Sequence, residues 1–153
     1  MSPRARLLLG TALLLLAGSG ASAAQSLSVT PANAGSLTVT TAVAGQEPSS
    51  VGLSGGTYTF SLKNNGGLRT ITARLDAPLP PGTTLSIALG STGGGATSAG
   101  TVQLTTSALP VVTNLPTSKV TNASSSITYS FSATSAACVL AMQSIGVTLE
   151  LAP

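Results

Sequence analysis

Apolar residues alternate with serine and threonine along much of this 153-residue chain. The alternation is clearest in segments 57–63 and 70–76, where every second residue is apolar. A period of two puts alternate side chains on opposite faces of a strand, so it predicts strands with one buried face. The apolar members of these runs are Leu27, Val29, Leu37, Val39, Val43, Tyr58, Phe60, Leu62, Ile71, Ala73, Leu75, Leu85, Ile87, Leu89, Val102, Leu104, Val111, Ile127, Tyr129, Phe131, Ala133, Val147, Leu149 and Leu151. These alternating runs predict about nine short strands.

Segments rich in glycine, proline and serine separate these runs, and no strong amphipathic helix interrupts them. Such spacing predicts an all-β fold: one antiparallel immunoglobulin-like β-sandwich of about 7 to 9 short strands, or a small barrel. The expected turn segments are residues 45–56, 77–82, 90–100, 115–126 and 135–144. Only residues 135–143 have a composition that allows a short helical turn.

One pair of strands carries a turn motif that predicts its register. The sequence Asn64-Asn65-Gly66-Gly67 lies between the two clearest runs, and Asn-Gly favours a type I′ hairpin turn, which needs positive φ angles. A hairpin closed there puts Phe60 opposite Ile71 and Tyr58 opposite Ala73. We therefore expect these two strands to be neighbours in one sheet.

The first residues have the layout of a secretory signal peptide. Two arginines precede an apolar run at 7–17, and small residues follow at 18–24. Cleavage after the Ala21-Ser22-Ala23 motif divides the chain into a signal peptide, 1–23, and a β-sandwich domain, 24–153. An uncleaved membrane anchor is the alternative, although the run is shorter than the roughly 20 residues of a spanning helix.

Removal of residues 1–23 changes the charge of the protein. The whole chain carries +3, but two of its six basic residues lie in the signal peptide. The expected mature chain keeps four basic residues against three carboxylates, a net charge of +1. Nucleic-acid binding requires a dense basic surface, so that function is excluded, and no second long apolar run predicts a membrane span in the mature chain.

The residues of catalysis are nearly absent. The chain has no histidine, one cysteine and three Asp or Glu residues. Residues 52–56 match the G-x-S-x-G pattern around Ser54, but that serine needs a base and no histidine is present to supply it. We therefore expect no enzyme activity, no catalytic residues, no cofactor and no metal site.

Two positions leave alternatives open. Cys138, in an apolar stretch, is either a buried inert thiol or the site of an intermolecular disulfide, since an exported protein with an odd cysteine suggests one. Asn122-Ala123-Ser124 is an acceptor sequence for N-glycosylation, if the host glycosylates exported asparagines.

In layout, the chain resembles the small exported immunoglobulin-like subunits of chaperone-usher pili. It has a signal peptide, an alternating segment soon after it at 26–30, and an alternating strand at the end, 146–153. In that family an extended segment of one subunit completes the sheet of the next. Those subunits commonly carry a cysteine pair, whereas this chain has only Cys138, and the resemblance assigns no donor residues.

The expected function is that of a non-catalytic exported structural or interaction protein of the bacterial cell envelope or surface, of which a filament subunit is one form. Its partner is then another protein or a second copy joined by strand pairing, in the periplasm, at the cell surface or outside the cell. The alternative is a monomeric secreted binding module that recognises a protein or a glycan through its loops. The absence of tryptophan and the inward parity of all four aromatic residues count against a glycan.

Overall fold

The computed structural model describes residues 7–9, 25–30, 36–37, 39, 47–63, 67–135, 137 and 143–153. No helix occurs among them, which confirms the all-β prediction. In chain order the strands are β1 (Leu7–Leu9), β2 (Ser26–Thr30), β3 (Ser36–Leu37), β4 (Val51–Leu62), β5 (Arg69–Leu75), β6 (Thr83–Leu89), β7 (Thr97–Ser98), β8 (Thr101–Gln103), β9 (Leu109–Leu115), β10 (Val120–Ala133), β11 (Gln143–Ile145) and β12 (Val147–Ala152).

Most of the strands belong to two antiparallel sheets. The five-stranded sheet has the order β2-β4-β10-β6-β8, and the four-stranded sheet has the order β12-β5-β9-β7. A smaller sheet, β11-β1-β3, contains a parallel pair between β1 and β11. The long strands β4 and β10 are paired along most of their length.

The buried side chains follow the parity that the sequence predicts. In β6, Leu85, Ile87 and Leu89 are buried while the residues between them are partly exposed. The two antiparallel sheets contribute these residues to one hydrophobic cluster. Burying each large apolar side chain contributes about 1.5–3 kcal/mol, so this shared core is the main source of stability.

The predicted hairpin is wrong. Asn64, Asn65 and Gly66 lie outside the described residues, but the strands on either side of them belong to different sheets. Phe60 is paired with Leu27 and Ala123, whereas Ile71 is paired with Leu151 and Val112. The same alternation permits either pairing, and here β4 and β5 bury their apolar faces in the shared core from different sheets.

Two expected turns are also strands. Residues 51–56 open β4, where an irregularity in the register opposite Ile127 and Tyr129 accommodates the glycine-rich sequence. Residues 120–126 open β10, whose serines and threonines have too little apolar alternation to indicate a strand. Residues 120 and 123–126 are held in the strand by pairing with β4, because the ladder gives their backbone groups hydrogen-bond partners that the local sequence pattern does not predict.

One predicted turn is present. The Thr83 N–H donates to the Pro80 carbonyl at 3.2 Å, and Gly82 has a φ of 77°. These are the features of a type II turn with Pro81 and Gly82 at its centre. This turn connects β5 to the first residue of β6.

No helix in the described part of the chain is both long and apolar enough to cross a membrane.

Candidate strand-pairing site

The middle strand of the small sheet comes from the predicted signal peptide. Leu7, Leu8 and Leu9 run parallel to β11, with Leu7 opposite Gln143 and Leu9 opposite Ile145. On its other side β1 is antiparallel to β3, with Leu7 opposite Leu37. Among the described strands, β3 and β11 pair with β1 and with no other. We call the space between β3 and β11 the strand slot.

The residues that border the strand slot are connected to the core. Leu37 and Ile145 are buried, and both belong to the hydrophobic cluster that the large sheets share. Without β1, the backbones of β3 and β11 lose their ladder partner. Unpaired strand edges next to apolar side chains are a template for another strand.

Asp76 forms hydrogen bonds with Gly146 and Thr148, which follow β11. Its backbone N–H donates to the Gly146 carbonyl at 3.0 Å, and the Thr148 hydroxyl donates to its carboxylate at 2.5 Å. Asp76 is exposed, and its side chain packs so closely on Gly146 that a Cβ at that position would overlap it. The strand slot therefore lies beside an exposed carboxylate at the end of β5.

A second carboxylate is held near the end of β10. Glu47 accepts hydrogen bonds from the backbone N–H and the hydroxyl of Ser135, at 2.6 and 2.8 Å. Ser135 follows the last residue of β10 by two positions. Glu47 is exposed, like Asp76.

The third carboxylate, Glu150, forms an ion pair with Arg74. Arg74 Nη2 lies 3.3 Å from Glu150 Oε1, on the outer face of the pair β5–β12. Both side chains are about half exposed, 42% and 52%. An exposed pair of this kind contributes at most about 1 kcal/mol.

The residues singled out for catalysis do not come together. Ser54 is exposed on β4, and the chain has no histidine to act as its base. No group of three metal-ligating side chains occurs in the described ranges. Cys138 lies outside the described residues, so both the buried inert thiol and the intermolecular disulfide stay predictions.

Asn122 occupies an irregular position at the start of β10. It has a φ of 52° and lies where the register with β4 shifts. Its backbone N–H donates to the Ser61 hydroxyl at 3.0 Å, and that hydroxyl donates to the Asn122 side chain at 3.2 Å. The acceptor sequence is thus on an exposed irregular position next to β4.

Burial changes the acidity of two tyrosines of the core, Tyr58 and Tyr129. Burial raises the pKa of Tyr129 to about 12. Burial also raises the pKa of Tyr58, against the opposing effect of hydrogen bonds with Thr92 and Ser125. The Tyr58 hydroxyl donates to the Gly90 carbonyl at 2.5 Å. Both rings are part of the core, so their role is structural.

Comparisons with protein-family models, with curated proteins and with solved structures find no match to this chain.

The sequence pattern does not predict the strand slot. Residues 7–17 have the layout of an export segment, and that layout gives no indication of which strands their backbone pairs with. The sequence does contain one indication of this site. Ser36-Leu37 is part of an alternating segment, which predicts a strand, but the sequence does not show which strand pairs with it.

Proposed function

We propose that this protein is a non-catalytic exported structural or interaction protein of the bacterial cell envelope, a single immunoglobulin-like β-sandwich that binds its partner by strand pairing. One observation supports the proposal: the middle strand of the small sheet, Leu7–Leu9, lies within residues 1–23, the segment that the sequence predicts to be a cleaved signal peptide. Once that segment is gone, β3 and β11 both have an unpaired edge. A strand from another polypeptide restores the ladder.

The composition supports this function. The mature chain has few charges, and its strands keep hydroxyl residues on their exposed faces. A surface with little net charge opposes close association only weakly. A second copy of the chain is the partner that makes the protein a filament subunit.

The test uses the protein recovered from the exported fraction of an expressing host. Intact mass establishes whether residues 1–23 are removed, and light scattering with electron microscopy establishes whether copies associate. We expect a chain that begins at Ala24 and forms oligomers or filaments.

A synthetic peptide of residues 4–11 then probes the strand slot directly. We expect it to bind the exported protein and to compete with association, because it contains β1. The control is the same peptide with Leu8→Pro, which cannot donate the central backbone hydrogen bond and should not bind.

An exported protein that stays monomeric at high concentration and does not bind the peptide would overturn the proposal. That result would favour the monomeric binding module instead. A chain that retains residues 1–23 would also overturn it, because β1 would then occupy the slot permanently.

A further inference from the structure

The charged residues of the mature chain are separated between the two ends of the sheets. The end at which β4 finishes and β5 begins carries Lys63 and Arg69, and residues 116–119 bring Lys119 to the same end, where β10 begins. We call this the basic end. Three of the four basic residues of the mature chain therefore lie together.

Two of these cations are neighbours across the same pair of strands. Leu62 is opposite Val120, so Lys63 and Lys119 flank the last pair of the ladder. Both lysines are exposed, and neither forms an ion pair with a described carboxylate. Like charges placed across a strand pair repel each other, and this repulsion is relieved when an anion approaches.

Arg69 adds to the basic end from the neighbouring sheet. It is paired with Leu115 at the end of β9, and its guanidinium donates to the side-chain oxygen of Gln25. Residues 116–119 connect β9 to β10 directly, so Arg69 and Lys119 lie at the same end of the two sheets.

The opposite end carries carboxylates. Asp76 follows β5 directly, and Glu47 is bound to Ser135 just after β10. We call this the acidic end. The remaining ionised side chains, Arg74 and Glu150, neutralise each other on the side of the sheet.

The two ends act as separate charged surfaces. β10 has 14 residues, which corresponds to about 45 Å at about 3.3 Å per residue. The screening length at physiological ionic strength is only about 8 Å, so neither end neutralises the other within one molecule. Opposite charges meet only when one copy places its basic end against the acidic end of the next.

From this arrangement we propose that copies of the protein associate head to tail, with the basic end of one copy docked on the acidic end of the next. The contact is heterologous, so it propagates into a filament rather than closing a two-fold dimer. The strand slot lies at the acidic end, beside Asp76. The inference rests on the proposed function, and it adds a direction and a recognition chemistry to the association.

Charge reversal tests this contact in the exported protein. We expect K63E/K119E and E47K/D76K to remain monomeric when each is alone, because each then has two ends of the same sign. An equimolar mixture should associate, because the acidic ends of one variant meet the basic ends of the other. The matched control is R74E/E150R, which reverses the same number of charges on the side of the sheet and should associate like the parent protein.

Salt provides a second measurement that needs no variant. Raising the ionic strength from about 20 mM to about 0.5 M shortens the screening length to a few ångströms. We expect the association constant to fall by between about twofold and about thirtyfold, which is the range for two exposed ion pairs at about 0.2–1 kcal/mol each. Circular dichroism verifies that each variant is folded, and E47Q/D76N replaces E47K/D76K if the latter is not.

The outcomes separate this inference from strand pairing. Association that is unchanged in high salt and in K63E/K119E overturns the head-to-tail charge contact but leaves strand pairing in place. Association that is sensitive to salt but unaffected by the peptide of residues 4–11 supports the charge contact and counts against strand pairing. A parent protein that stays monomeric at low salt overturns the charge contact.

Discussion

Tyr129 shows how a single residue of this core responds to its surroundings. It lies on β10 between Leu53 of β4 and Ile87 of β6, and only 7% of it is exposed. Burial disfavours the ionised phenolate, which is why its pKa is raised to about 12. Local parity predicted the inward position of this residue, but the degree of burial depends on both neighbouring strands.

The raised pKa predicts a loss of stability at high pH. Tyrosine in the unfolded chain ionises near pH 10, whereas the folded protein holds the Tyr129 proton to about pH 12. Between these values the unfolded state has lost the proton and the folded state has not. The free energy of unfolding should therefore fall by about 1.4 kcal/mol per pH unit, or about 3 kcal/mol in all.

Urea unfolding at several pH values from 8 to 12 measures this loss. The Tyr129→Phe variant is the control, because it removes the ionisable group and keeps the ring. Its stability should fall less steeply over the same range, with the residual slope due in part to Tyr58, whose pKa burial also raises. Parallel curves for the two proteins would contradict the assignment to Tyr129.

At the scale of the strand, the alternation of apolar and polar residues shows which face is buried, but it does not show which strands are neighbours. Alternation alone predicts the inward residues of β4, β5, β6 and β12, and they are buried except for Leu151 of β12, which is partly buried. The neighbours of β4 were not predicted, because the Asn-Gly motif indicated β5 and the sheet pairs β4 with β2 and β10. A period of two fixes which face of a strand is buried, but it leaves the partner open.

Engineered disulfides test the pairing of β4. Ser28 and Thr59 are directly opposite each other in β2 and β4, so S28C/T59C should form an intramolecular disulfide under mild oxidation. The matched variant T59C/T72C joins the positions that the predicted hairpin would pair, and it should not form one. Both are made with Cys138→Ser so that no third thiol competes.

Electrophoresis without reductant, or peptide mapping by mass spectrometry, detects the bridge. A bridge in T59C/T72C and none in S28C/T59C would restore the hairpin and reject the sheet order described above.

For the whole molecule, the proposed function links signal-peptide cleavage to a change in sheet structure. In the full chain β1 gives ladder partners to residues 36–37 and 143–145. Under the proposed function, cleavage removes β1 and a strand of another molecule takes its place. The two large sheets would keep their pairing, because none of their described strands comes from residues 1–23.

Amide hydrogen exchange should report this dependence. We expect the amides of β3 and β11 to be protected in a variant whose cleavage is blocked by A21L/A23L. They should exchange faster in dilute, dissociated exported protein, since exchange follows the loss of backbone partners. The amides of β6 serve as an internal control and should be equally slow in both. Equal protection of β3 and β11 in the two proteins would show that β1 does not hold them.

The sequence by itself determined that the fold is all-β, most of the inward residues and the scarcity of catalytic side chains. These are local properties, because alternation and composition are the same in any all-β arrangement of the chain. The tertiary structure decided which strands are neighbours, where Lys63, Lys119, Glu47 and Asp76 lie, and that residues 7–9 occupy the middle of a sheet. Those depend on contacts between residues far apart in the chain, and many pairings bury the same apolar faces equally well.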